Sequence, residues 1–136
     1  MLEKLQNPLA LLGRLLIAAL FLPSGLSKIA GFAGTVGYVA SVGLPAPQLL
    51  AAVAVVVEVG FTLLLVLGWG TRWVALGMAV FTVLAGVLFH NFWAAPADQV
   101  MMQQINFWKN ISIAGGFLVL AAFGPGAISI DAKRGA

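Results

Sequence analysis

The sequence predicts an all-α membrane protein: a four-transmembrane-helix bundle with a short interfacial helix between the first and second spans. Three observations carry this reading. Of the 136 residues, 62% are hydrophobic and 8% charged, whereas soluble domains are about 25% charged, so the polar residues needed to cover a water-facing surface are missing. Mean hydropathy is +1.07. Four apolar runs each approach the roughly 20 residues that a helix needs to cross the hydrocarbon core, and the stretches between them are too short to build a second core. Residues 1–136 therefore read as one domain folded within the bilayer.

The first span is expected over about residues 8–29. Asn7-Pro8 starts it, because proline's missing N–H costs nothing in a first turn, and Pro23 should kink it and free a backbone carbonyl. The run lacks a small-x-small cleavage site, so it reads as a retained helix and not a cleaved signal. Between Gly31 and Pro47, Phe32, Val36, Val39 and Val42 recur at helical spacing in an uncharged stretch, which suits a short helix lying at the interface. Gly43-Leu44-Pro45 then turns the chain back.

The second span, about 47–67, has Glu58 as its charged residue. Gly68-Trp69-Gly70-Thr71-Arg72-Trp73 forms a tight turn with interfacial tryptophans, making spans two and three antiparallel neighbours. Span three covers about 72–92 and ends near His90. Asn91 to Asn106 is the most polar connection, and span four covers about 105–123, closed by Gly124-Pro125-Gly126. Gly115-Gly116 reads as a helix-packing feature. Lys133-Arg134 reads as part of a short frayed tail.

Basic residues set the orientation. The end carrying both termini holds Lys4, Arg14, Arg72, Lys133 and Arg134, while the other holds Lys28 and Lys109. That five-to-two split places both termini in the cytoplasm.

Several chemistries are excluded or weak. No cysteine is present, so this chain makes no disulfide or thiol redox centre, and any electrons must pass through a ligand or partner. A single histidine does not make a zinc or haem site with the usual ligand count, and no metal site is expected. GxGxxG and Walker patterns are absent. The pI of 9.8 comes from scattered basic residues with no cluster beyond Lys133-Arg134, so no nucleic acid partner is expected. No complete catalytic constellation stands out.

What remains are polar residues where lipid should be, each costly there unless paired or watered. Arg14 lies about 9 Å in from its end of span one and Glu58 about 14 Å in from the same end of span two, counting about 1.5 Å per residue. A structural ion pair between them is therefore open. Nearer the other face, Ser24 and Lys28 are one turn apart on span one, and Asn106, Lys109 and Asn110 follow i, i+3, i+4 spacing on span four. With His90 ending span three, these groups predict an outward-opening polar cavity. Its ligand-binding residues are Ser24, Lys28, Glu58, His90, Lys109 and Asn110. The competing reading has Lys28 and Lys109 snorkelling to the interface beside an anchoring His90.

Arg14 followed by Phe21-Leu22-Pro23-Ser24-Gly25-Leu26-Ser27-Lys28 resembles the first-helix pattern of the DoxX family. Gly43-Leu44-Pro45, Glu58, the Gly68–Arg72 turn, Phe89-His90 and Lys109-Asn110 follow in the family's order. The resemblance implies a four-helix protein of the bacterial cytoplasmic (inner) membrane. The family takes its name from a subunit of an archaeal thiosulfate:quinone oxidoreductase, and relatives are linked with oxidative and thiol stress. By resemblance, then, the chain is a membrane subunit of a redox or stress-response system binding a small hydrophobic, quinone-like molecule and soluble redox partner proteins. No intrinsic cofactor beyond such a quinone is expected, membrane lipid surrounds it, and a homo-oligomer is admissible. Two other functions stay open: a non-enzymatic scaffold recruiting soluble partners to the membrane, and a small transporter, the latter disfavoured because no inverted repeat is visible.

Overall fold

Helix breakers set the element boundaries. The computed structural model describes residues 2–135. A single 3₁₀ turn, Leu2–Leu5, leads into α1, Gln6–Ala30, which runs through Pro23. After Gly31 comes α2, Phe32–Ser41. The second span is composite: α3, Pro47–Val55, with proline in its first turn; a π-helical stretch, Val56–Phe61; and α4, Thr62–Leu67. The valine run 55–57, Val59 and Gly60 all have modest helix propensity, which weakens the α ladder where the π stretch forms. Gly68 and Gly70, both in the left-handed region, make the turn into α5, Thr71–Phe89. A 3₁₀ turn, Phe92–Ala94, precedes α6, Val100–Phe123, and the chain ends in α7, Ile130–Arg134.

Among the described residues, four helical segments are long and apolar enough to cross a membrane: Leu2–Ala30, Pro47–Leu67, Thr71–Ala94 and Val100–Phe123. The shortest, at 21 residues, spans about 32 Å, close to the hydrocarbon thickness. The all-α fold and the interfacial α2 agree with the sequence. The fourth helix starts at Val100, earlier than the expected residue 105, because Gln103 and Gln104 belong to the helix and not to the polar connection.

Packing follows membrane rules, in which close van der Waals fit between small side chains replaces the hydrophobic effect. Ala75, Ala79 and Ala114 are buried in one core cluster with Leu65, Met78 and Phe117. Phe21 and Phe117, with ring centroids 5.6 Å apart, tie α1 to α6. The bundle is built from two helix pairs: α1 against the second span, and α5 against α6. Helix α5 packs on α4 and the π stretch rather than on α3. The pairs therefore close at the terminal end and part at the far end.

Candidate functional site

The parting of the pairs leaves a cavity of about 410 Å³ roofed by α2, within the usual range for small-molecule sites. Its walls are mainly apolar, with a few convergent polar groups. Leu20, Val53 and Leu84 line it and are about half exposed, so the cavity is open on that side.

One close approach fixes its chemistry. A Cβ at Gly25 would lie 2.6 Å from Val59 Cγ2 and 2.9 Å from Glu58 Cβ, so glycine lets α1 press against the π stretch. That contact sets the register in which Lys28 Nζ donates to Glu58 Oε2 at 2.9 Å and to Ser24 Oγ at 2.8 Å. The Glu58 side chain is 9% exposed and that of Lys28 is 30% exposed. Across the cavity, His90 Nδ1 lies 2.8 Å from Gln103 Oε1. That contact engages Nδ1 and leaves Nε2 as the ring nitrogen without a partner among the described residues. The segment holding His90 is anchored by an aromatic cluster in which Phe92 and Trp93 each meet Phe107 at 5.5 Å.

Of the residues singled out from sequence, Ser24, Lys28, Glu58, His90 and Asn110 line this cavity together. Lys109 does not. It faces a shallow groove beside Met101 and Trp108 on the outer surface, because successive helical residues diverge by about 100° and Asn110 takes the inward position. Missed in the sequence were Tyr38, whose ring stacks on Phe89 at 5.3 Å over the cavity, and Thr82 on its wall. Both sit in unremarkable apolar helices. Thr82 falls on the buried stripe of α5 with Met78, Ala79 and Gly86, while no spacing signal singles out Tyr38.

The Arg14–Glu58 ion pair is not formed. Gly25, not Arg14, is level with Glu58, and Arg14 lies 11 residues earlier, about 16 Å along the helix. Arg14 is 1% exposed and turns to the end of the second span. There Nη1 donates to the Leu65 and Val66 carbonyls at 3.1 and 2.9 Å, and Nη2 donates to the Ile128 carbonyl. The Leu65 and Val66 carbonyls lie in the last turn of α4, at the negative end of its dipole. Nε has no partner among the described residues.

The tail is not frayed either. The Ala127 amide donates to Asn7 Oδ1 at 2.8 Å, and Asp131 accepts from the Gly70 and Thr71 amides at 2.7 and 2.8 Å. Asp131 thus caps α5, whose N-terminus has no side-chain cap of its own. Burial pushes the Asp131 carboxyl up, but the Thr71 and Gly70 hydrogen bonds, with Arg134 nearby, bring it below the ordinary value. Arg134 stands 5.7 Å over the Trp69 ring, a cation–π contact. Arg72 donates to the Ala121 and Ala122 carbonyls, capping α6 as Arg14 caps α4.

These features define a small polytopic membrane protein, locked at one end and hollow at the other. The DoxX family profile matches residues 9–91, and the chain belongs to the DoxX family. It is 46% identical to inner membrane protein YphA of Escherichia coli over 92% of this chain and 89% of that one. It is 40% identical to inner membrane protein YqjF of the same organism over 95% and 94%. A weaker match, 27% identical over 52% of this chain, links it to a Surfeit locus protein 4 homolog of Schizosaccharomyces pombe, of which it covers 24%. No solved structure matches. The chain is an integral inner-membrane protein.

Proposed function

We propose that the chain is a membrane subunit of a redox or oxidative and thiol-stress system whose far-end cavity holds a small hydrophobic, quinone-like ligand. The observation that carries this reading is the Lys28–Glu58 pair set in the wall of an apolar, laterally open cavity. An ionic pair at membrane depth is costly to maintain for packing alone, and here the ammonium keeps a face toward open space. The ligand's rings would lie among Phe81, Leu50 and Ile113, with its oxygen toward Lys28. A quinone would supply two-electron, two-proton chemistry there, and its electrons would come from a partner protein because the chain has no cysteine.

Mass spectrometry of the small molecules retained by the purified protein tests this. A quinone or similar apolar molecule should be retained by the natural chain and lost on Ala85→Trp, which fills the cavity. Equal recovery from both would remove the reading, and an empty cavity in both would favour a scaffold. With both termini in the cytoplasm, as the basic residues argue, the cavity opens in the outer half of the membrane. A cytoplasm-dependent reporter fused after Ala136 should be active, and a silent one beside an active periplasmic reporter would invert the orientation.

A further inference from the structure

The hydrogen-bonding capacity of the cavity wall is not exhausted by the contacts within the chain. An ammonium has three N–H donors, and Lys28 uses two, on Ser24 and Glu58. Glu58 accepts through Oε2, and Oε1 has no hydrogen bond among the described residues. The two charges cancel, so the ion pair presents a spare donor and a spare charged acceptor with no net charge. The other titratable groups on the cavity wall are Tyr38 from α2 and His90 beyond α5; α6 contributes the uncharged Asn110. With Nδ1 engaged by Gln103, His90 has Nε2 as its unused ring nitrogen.

The geometry points to an uncharged, hydroxyl-bearing ligand: a phenol, quinol or comparable apolar alcohol, preferred over a carbonyl-only analogue and over a carboxylate. This rests on the ligand-cavity reading above and narrows it. A hydroxyl donates to Glu58 while accepting from Lys28. A carbonyl or ether oxygen uses Lys28 alone and sets its lone pairs against the carboxylate. An anionic ligand meets a lysine already neutralised and a carboxylate that repels it. The hydroxyl's advantage is a hydrogen bond to a charged acceptor, which is stronger than a neutral one and corresponds to a preference of about tenfold or more. Approach from the bilayer past the half-exposed Leu20, Val53 and Leu84 would suit such a molecule, because it partitions into the bilayer uncharged.

Three probes of matched length separate the cases: 4-octylphenol, its methyl ether 4-octylanisole, and 4-octylbenzoate. Each is titrated by mole fraction into the detergent-solubilised full chain, with thermal stabilisation as the readout. The phenol should half-saturate at about one tenth or less of the mole fraction needed by the ether or the benzoate. In Glu58→Gln the benzoate should gain on the phenol, because Lys28 loses its counter-charge. Should that variant not fold, the ranking in the natural chain alone decides. Phenol and ether binding equally, or benzoate binding best, would overturn the hydroxyl preference while leaving a ligand cavity in place. No stabilisation by any probe would overturn both.

Discussion

Helix α1 carries two cations inside the bundle, and the protein uses them in opposite ways. Arg14, at the terminal end, is wrapped: its two terminal nitrogens bond carbonyls from α4 and the tail, and 1% exposure leaves no room for a ligand. Lys28, at the far end, is 30% exposed on a cavity and bonds side chains whose remaining capacity faces open space. Guanidinium geometry suits the first task, a planar fork across several fixed acceptors, and a compact ammonium on a flexible stem suits the second. The contrast shows that charge in a membrane span is no single signal. What its partners leave unused separates a structural group from a candidate site.

The largest expected effect is on the wrapped side. Arg14→Met should destabilise by about 3 kcal/mol or more, because it strands several buried carbonyls that now meet a charged donor. Arg14→Lys should rescue it partly at most. Thermal unfolding in detergent measures both, and a loss below about 1 kcal/mol for Arg14→Met would mean that water reaches those carbonyls.

Next comes Asp131, the cap that the tail gives to α5. Asp131→Ala should cost about 1–2 kcal/mol. The folded carboxyl sits below its ordinary value, so its contribution is fully present above the unfolded pKa of about 3.9 and fades as pH falls through the lowered folded value. Stability of the natural chain should therefore drop below about pH 4, and Asp131→Asn should flatten that limb. Parallel acid limbs in the two proteins would assign the loss to another carboxylate.

On stability, the smallest effect belongs to the cavity pair. Replacing both members together, Lys28→Met with Glu58→Leu, should be neutral or mildly stabilising, since a buried pair seldom outperforms well-packed apolar residues. A loss of several kcal/mol from the double change would make the pair structural and erase the contrast with Arg14.

The four spans were legible because composition and the length of apolar runs are dictated by the bilayer itself. Most of the cavity residues were legible for a related reason: Ser24, Lys28, Glu58, His90 and Asn110 are polar where lipid makes polarity expensive. Pairing was not. Depth counting has an error of a turn or more at each span boundary, and Arg14 was set against Glu58 although the Gly25 contact moves them about 16 Å apart. Lys109 failed on angle, since a stripe on a helix is broad and Asn110 alone took its inner edge. The docked tail depends on tertiary contacts that have no periodic trace. Asp131 carries no signal in the sequence, since the bare N-terminus of α5 that it caps is 60 residues away along the chain.

The account's central claim is that stability and binding reside in separate polar clusters at opposite ends of one helix bundle. Its most direct test is the thermal stabilisation given by 4-octylphenol in the natural chain, in Asp131→Asn and in the Lys28→Met, Glu58→Leu double variant. The phenol should stabilise the first two by the same increment, although Asp131→Asn starts from a lower melting temperature, and it should leave the double variant unchanged. Equal stabilisation of all three proteins would contradict the claim, because the ligand would then bind without the Lys28–Glu58 pair.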